Sequence, residues 1–156
     1  PEPLIKKEFS RIMSLKDGLK KMSKSEASDL SRINLTDNKD QIINKIKKAK
    51  TDTLPLPSTI EELEKRPEAK NLIGIYSSLM NNTLQKSIDE FSGKNFSDFK
   101  EKLSELIVNE INPISLKVKE LLNDKVFLEK ILDDGYKKAN EIASKKIKKI
   151  HEIVGF

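Results

Sequence analysis

Cysteine is absent from this 156-residue chain, and histidine occurs once, at His151. The first absence excludes disulfides, thiolate metal sites and cysteine nucleophiles, and it fits a reducing compartment. The second excludes any site that draws two imidazoles from this chain. Only five glycines and six prolines occur, too few for a turn-rich all-β fold. Long apolar runs are missing as well. The longest, such as Leu106-Ile107-Val108, fall far short of the roughly 18 residues that a membrane-spanning helix requires. The opening Pro1-Glu2-Pro3-Leu4-Ile5 has no initiator methionine and no signal- or transit-peptide pattern, and it reads like the middle of a longer chain.

Charge is abundant. Charged residues make up 35% of the chain and hydrophobic ones 36%, a balance that long solvated helices produce. Disorder gives a similar composition, but here the apolar residues recur at helical spacing, which disorder does not require. The net charge of +5 admits a polyanionic partner without demanding one.

The first 32 residues are the least regular. Phe9-Ser10-Arg11-Ile12-Met13-Ser14-Leu15 alternates apolar and polar residues and reads as one strand. Lys16-Asp17-Gly18 reads as the turn after it, and residues 19–25 as a basic, flexible loop. One strand cannot be a domain alone, so it either packs on helices behind it or belongs to a larger sheet.

The rest reads as helices. Thr36-Asp37-Asn38 offers caps for a helix over residues 41–49, with Ile42, Ile43, Ile46 and Ala49 on one face. Leu54-Pro55-Leu56-Pro57 is an extended breaker. Ser58 and Glu61 have capping-box spacing. Pro67 marks the next helix start, Asn81-Asn82 its end, and a short helix over residues 84–91 follows, closed by Ser92-Gly93. Two long helices complete the chain, over about residues 97–123 and 125–154. The stripe of the first runs through Phe99, Leu103, Leu106, Ile107, Ile111, Ile114, Val118, Leu121 and Leu122, across Pro113, where a kink is expected. The second carries Leu128, Ile131, Ala139, Ile142, Ile150 and Val154 on a face expected to pack antiparallel against the first.

Lys21-Met22-Ser23-Lys24-Ser25 is the informative segment. Two ammonium groups three residues apart, with hydroxyls between and after them, suit a mobile loop that brings positive charge and backbone N–H groups onto a polyphosphate. On charge alone, a solvated basic loop explains the same residues. The pentapeptide does not stand alone, however. The string RIMSLKDGLKKMSKSEASDLSRINLTD, from Arg11 to Asp37, resembles the second signature region of the class I aminoacyl-tRNA synthetases, and within them the tryptophanyl branch. The likeness continues through Ile46-Lys47-Lys48-Ala49-Lys50-Thr51-Asp52, Arg66-Pro67-Glu68-Ala69-Lys70-Asn71-Leu72 and Ile75-Tyr76-Ser77, and more weakly at Asp134-Gly135-Tyr136-Lys137-Lys138-Ala139-Asn140.

The resemblance implies a mainly α chain. Residues 1–25 would end a nucleotide-binding α/β domain with its last strand and signature loop. Residues 26–156 would form a helical bundle on the tRNA anticodon side. It implies ATP-dependent activation of tryptophan and transfer to tRNA(Trp), in the cytoplasm, by a protein that is a homodimer at full length. Lys24 and Lys21 would stabilise charge on the ATP phosphates, Lys24 above all in the transition state. Met22, Ser23 and Ser25 would shape the loop, and Ile12 would meet the adenine, mainly through its backbone. Magnesium would arrive with ATP; the carboxylate pairs Asp133-Asp134 and Glu61-Glu62 read as cap or surface residues. The family's His-x-Gly-His element cannot be present with a single histidine, and the tryptophan pocket belongs to the same absent half. The chain by itself is therefore expected to be inactive.

A basic side of the last helix, with Lys137, Lys138, Lys145 and Lys149, reads as a solvated face or as a tRNA phosphate contact. No aromatic platform is interleaved there beyond Tyr136, so base-specific reading is not expected from it. Two other readings stay open: a stand-alone helical RNA-binding module derived from a synthetase, and a helical interaction protein with a chance signature. The residues encoded before Pro1 would separate them.

Overall fold

The computed structural model describes residue 2 and residues 9–155; most of the segment 1–5 remarked on above lies outside them. The chain is mostly a helical bundle preceded by a small two-stranded antiparallel sheet. Its strands are β1 (Met13–Ser14) and β2 (Asp17–Lys21). After a single 3₁₀ turn at Asp29–Ser31 come α1 (Lys39–Lys47), α2 (Ile60–Glu64), α3 (Pro67–Leu79), α4 (Leu84–Phe91), α5 (Phe96–Asn123) and α6 (Lys125–Val154). By contact the chain divides into two compact units, Pro1–Ser115 and Leu116–Phe156.

The helix starts follow their caps. Asn38 accepts from the Gln41 N–H while the Gln41 side chain accepts from the Asn38 N–H, a reciprocal box that sets α1. At α2 the cap lies one residue later than the sequence spacing implies. Thr59, not Ser58, accepts from the Glu62 N–H, and the Ser58 N–H donates to the Glu62 carboxylate. Pro67 is the first residue of α3, where its missing N–H costs nothing. Asn81 adopts φ 53°, the left-handed conformation that breaks the chain away from α3.

The core of the first unit gathers Leu15 of the hairpin with Ile42, Ile46, Leu63, Leu72, Ile73, Ile88, Phe91, Phe99 and Leu103, all at most 2% exposed. Tyr76, Phe91 and Phe99 join α3, α4 and α5 through ring contacts at centroid distances of 4.8–5.9 Å, the offset and edge geometries that aromatic quadrupoles favour. The Tyr76 hydroxyl donates to Glu90, and burial with this carboxylate pushes its pKa up to about 12.

Three expectations are corrected. The stretch 9–15 is not one long strand: the turn falls at Leu15-Lys16, and Asp17-Gly18, read as the turn, opens β2. Ile43, expected on the buried face of α1, is exposed. The stripe on α6 is exposed rather than buried. Phe99, Leu103 and Ile107 are buried inside the first unit. In the second unit no residue of α6 is buried, and Ile131, Ile142 and Ile150 are 51%, 70% and 51% exposed. Helix α5 itself is continuous through Pro113.

Gly18 shows why the sequence misleads at the hairpin. A Cβ there would lie 2.6 Å from the Pro67 carbonyl carbon and the Glu68 nitrogen. This glycine serves the close approach of β2 to the first turn of α3, not a turn. Gly18→Ala is expected to cost about 1–3 kcal/mol, because the obstacle is backbone and neither element can yield by rotamer change alone. The unfolding midpoint of the variant measures this; an unchanged midpoint would mean that the contact is slack.

Candidate nucleotide-phosphate loop

The segments that carry the resemblance are far apart in sequence, and side chains join them around the hairpin. Asn71 of α3, buried, donates its amide to Met13 O and accepts from the Met13 N–H, both at 2.8 Å. Lys50 pairs with Glu68 at 2.8 Å, and the Lys50 N–H donates to Leu15 O at 2.7 Å. The Lys50 ammonium, with help from the Gly18 N–H, holds the Glu68 carboxyl below its usual range. Arg66 clamps the Pro-rich breaker. Its guanidinium bonds both carboxylate oxygens of Asp52, Pro55 O and Leu54 O, and lies over the Phe96 ring. This is the bidentate use that the planar fork allows, and it keeps the Asp52 carboxyl low.

The loop leaves β2 at Lys21. The Met22 N–H donates to Ile12 O at 3.1 Å, extending the ladder by one step, and the Met22 side chain is half-buried against the core. Ser23 Oγ accepts from the Ser25 N–H at 3.3 Å and shares a hydrogen bond with Ser25 Oγ at 2.9 Å. Such a hydroxyl closes a local turn, with Lys24 in it. The far end is tied at Glu26, whose carbonyl accepts from Arg32 Nη1 at 2.9 Å and whose carboxylate accepts from Ser14 Oγ at 3.3 Å. Residues 22–25 thus span two anchors. Lys21 and Lys24 are exposed, and no carboxylate among the described residues pairs with either ammonium. Ile12, 48% exposed, stands beside the loop with its carbonyl engaged by Met22.

After the loop comes an ion cluster around a buried lysine. Lys45 of α1, 3% exposed, reaches Asp37 at 2.6 Å and Asp29 at 2.7 Å. Arg32 pairs with Asp29 at 3.1 Å, and the Asn34 N–H donates to Asp37 at 2.8 Å. The hydrogen bond from Lys45, then that from Asn34, lowers the Asp29 pKa. The signature string from Ser25 to Asp37 is pinned to α1 in this way. Sequence reading gave no role to Asn71 or Arg32 and counted Lys45 only in a weak basic patch with Lys47, Lys48 and Lys50, because Asn71 meets backbone 58 positions away and Lys45 meets a carboxylate eight positions away.

The other expected site residues stand apart from the loop in sequence and element. Lys137, Lys138, Lys145 and Lys149 are exposed on α6. Two of them are engaged at i,i+4 spacing, Lys137 with Asp133 at 2.5 Å and Lys145 with Glu141 at 2.7 Å. His151 is exposed in the last turn of α6. No cluster of three or more His, Asp or Glu among the described residues is placed to hold a metal ion, and none of their helices is long and apolar enough to cross a membrane.

Known proteins resemble this chain over nearly all of its length. A tryptophan–tRNA ligase of Agrobacterium fabrum is 50% identical over 155 residues, covering 99% of this chain and 44% of the relative. One from Rickettsia felis is 51% identical over 156 residues, covering 100% and 47%. The crystal structure of tryptophanyl-tRNA synthetase from Campylobacter jejuni complexed with ADP and tryptophan matches the whole chain and 47% of its own, with a TM-score of 0.74 at 27% identity. That of Mycoplasma pneumoniae matches 97% of this chain and 45% of its own, with a TM-score of 0.68 at 26% identity. The chain spans a little under half the length of the curated relatives it matches. Residues 1–111 match the model of the class I tRNA synthetases for W and Y, and with the signature loop in place at the hairpin exit, the chain belongs to that family.

Proposed function

We propose that this chain is the signature-loop and helical portion of a tryptophan–tRNA ligase. The observation that carries the reading is the loop itself. Lys21-Met22-Ser23-Lys24-Ser25 leaves a hairpin braced on α3, with both ammonium groups exposed and unpaired by carboxylates among the described residues. The likeness of nearly the whole of this chain to a little under half of ligases of that name supports it. Residues 1–25 complete the catalytic domain, and residues 26–156 form the helical region on the tRNA side.

In the reaction, the tryptophan carboxylate attacks the α-phosphate of ATP and pyrophosphate leaves. Magnesium enters with the nucleotide. Negative charge grows on the departing pyrophosphate, and Lys24 with Lys21 offsets it. Ser23 and Ser25 hold the turn that presents Lys24, Met22 fixes the loop entry, and Ile12 lies against the adenine. The tryptophanyl group then passes to the 3′ end of tRNA(Trp). Lys137, Lys138, Lys145 and Lys149 contact phosphates of that tRNA, weakly where carboxylates share them. The protein works in the cytoplasm as a homodimer.

The test is tryptophan-dependent ATP–pyrophosphate exchange. The full-length protein containing this chain is expected to catalyse it, and residues 1–156 alone are not, since one histidine cannot supply the His-x-Gly-His element. Exchange stimulated by another amino acid, or none by the full-length protein, would overturn the reading.

A further inference from the structure

The sheet that leads into the signature loop is very small. β1 has two residues, and its pairing with β2 shifts register between Met13 and Ser14. A ladder this short does not hold itself in place. Its outer edge at Met13 is occupied by the side chain of Asn71. One primary amide supplies both an acceptor for the Met13 N–H and a donor to Met13 O, at 2.8 Å each, so it acts as the missing neighbour strand. Asn71 is 2% exposed, so neither bond is readily exchanged for one with water.

We infer that Asn71 is a positioning residue for the nucleotide site, acting through β1 on the entry to the signature loop. The inference rests on the reading of Lys21–Ser25 as an ATP-phosphate loop. The path is short and covalent except at two points. Asn71 fixes Met13, and Met13 carries the neighbouring Ile12. Ile12 O then holds the Met22 N–H at 3.1 Å, the first hydrogen bond of the loop. Slippage of β1 along α3 moves Ile12, the adenine-side residue, and Met22, the loop anchor, together. Packing anchors the turn through Leu15, but at the loop entry Ile12 is 48% exposed and has no such anchor. Residue 71 therefore controls where ATP is held. It does not bear on tryptophan recognition, which none of these atoms serves.

The experiment uses the full-length protein containing this chain. Asn71→Asp is nearly isosteric: it keeps the acceptor for the Met13 N–H but turns a carboxylate oxygen toward Met13 O. Asn71→Ala removes both bonds. Each variant is assayed by ATP–pyrophosphate exchange well below its melting temperature, and amide exchange is followed over residues 20–25. The expected result is a KM for ATP raised about ten-fold in Asn71→Asp and at least as much in Asn71→Ala, with the KM for tryptophan within about two-fold of wild type and faster amide exchange at Met22. A purely structural Asn71 lowers the melting temperature and leaves the KM for ATP of the folded protein unchanged, which overturns the inference. Failure of the wild type to exchange pyrophosphate refutes the functional reading instead. In that case protection at Met22 still decides: loss of it in Asn71→Asp supports the tether, and unchanged protection overturns it.

Discussion

Lys24→Ala in the full-length protein is expected to slow tryptophanyl-adenylate formation by about 10²–10³-fold while changing the ground-state affinity for ATP far less. The reason is where the charge develops. Bound ATP already carries its negative charge with magnesium beside it, whereas the bond to the leaving pyrophosphate places new charge on an oxygen only as it breaks. A group that meets that oxygen late in the reaction contributes to the rate and little to the affinity. Lys24 is suited to this. It sits in a turn closed by Ser23 and Ser25, between anchors at Met22 and Glu26, and among the described residues no carboxylate competes for its ammonium. Lys21 belongs to β2 and has less freedom to follow the leaving group, so Lys21→Ala is expected to have the smaller effect on rate. Single-turnover kinetics separate the two quantities. An unchanged rate of adenylate formation with only a weaker ATP dissociation constant would make Lys24 a binding residue and remove it from the transition state.

Much of the chain was legible because local chemistry decided it. The bounds of α4 and α6 follow from Thr83, Ser92, Asp124 and Gly155, whose cap positions are written in residue type. The hairpin was not legible, since Asp17-Gly18 followed by three residues of which two are lysines has poor strand propensity. Its second strand forms because α3 lies against it, and Gly18 is glycine for the sake of Pro67 and Glu68. The stripe on α5 was read correctly as a buried face at Phe99, Leu103 and Ile107, but periodicity names a face and not its partner. Phe99 packs with Tyr76 and Phe91, residues whose own spacing says nothing of α5. At the site, the pentapeptide was readable as a string. The residues that brace it were not: an asparagine in a helix looks like any polar residue until its amide meets Met13 58 positions away.

Lys45 is the largest such surprise, and Lys45→Met is expected to destabilise the fold by about 3–5 kcal/mol. Methionine fills nearly the same volume, so packing is conserved and the loss comes from charge. The variant leaves Asp37, 3% exposed, with a buried carboxylate and only the Asn34 donors to satisfy it. Asp29 also bonds Lys45, but its carboxylate is 55% exposed and can return to water. Asp29→Asn is therefore expected to cost much less than Lys45→Met. The acid side gives an independent check. A carboxyl whose folded pKa is depressed contributes stability above its unfolded value, and that contribution is lost as pH falls through the folded value. Lys45 and Asn34 depress Asp29 below 3.8 in the folded protein, so its part of the stability disappears at pH values below about 3.8. The gap between Asp29→Asn and wild type should therefore narrow as the solution is acidified through the depressed Asp29 value. Denaturant unfolding of both variants across pH 3–7 measures all three effects. Equal losses for Lys45→Met and Asp29→Asn would show that the buried Lys45–Asp37 pair is not what holds the segment after the signature loop onto α1.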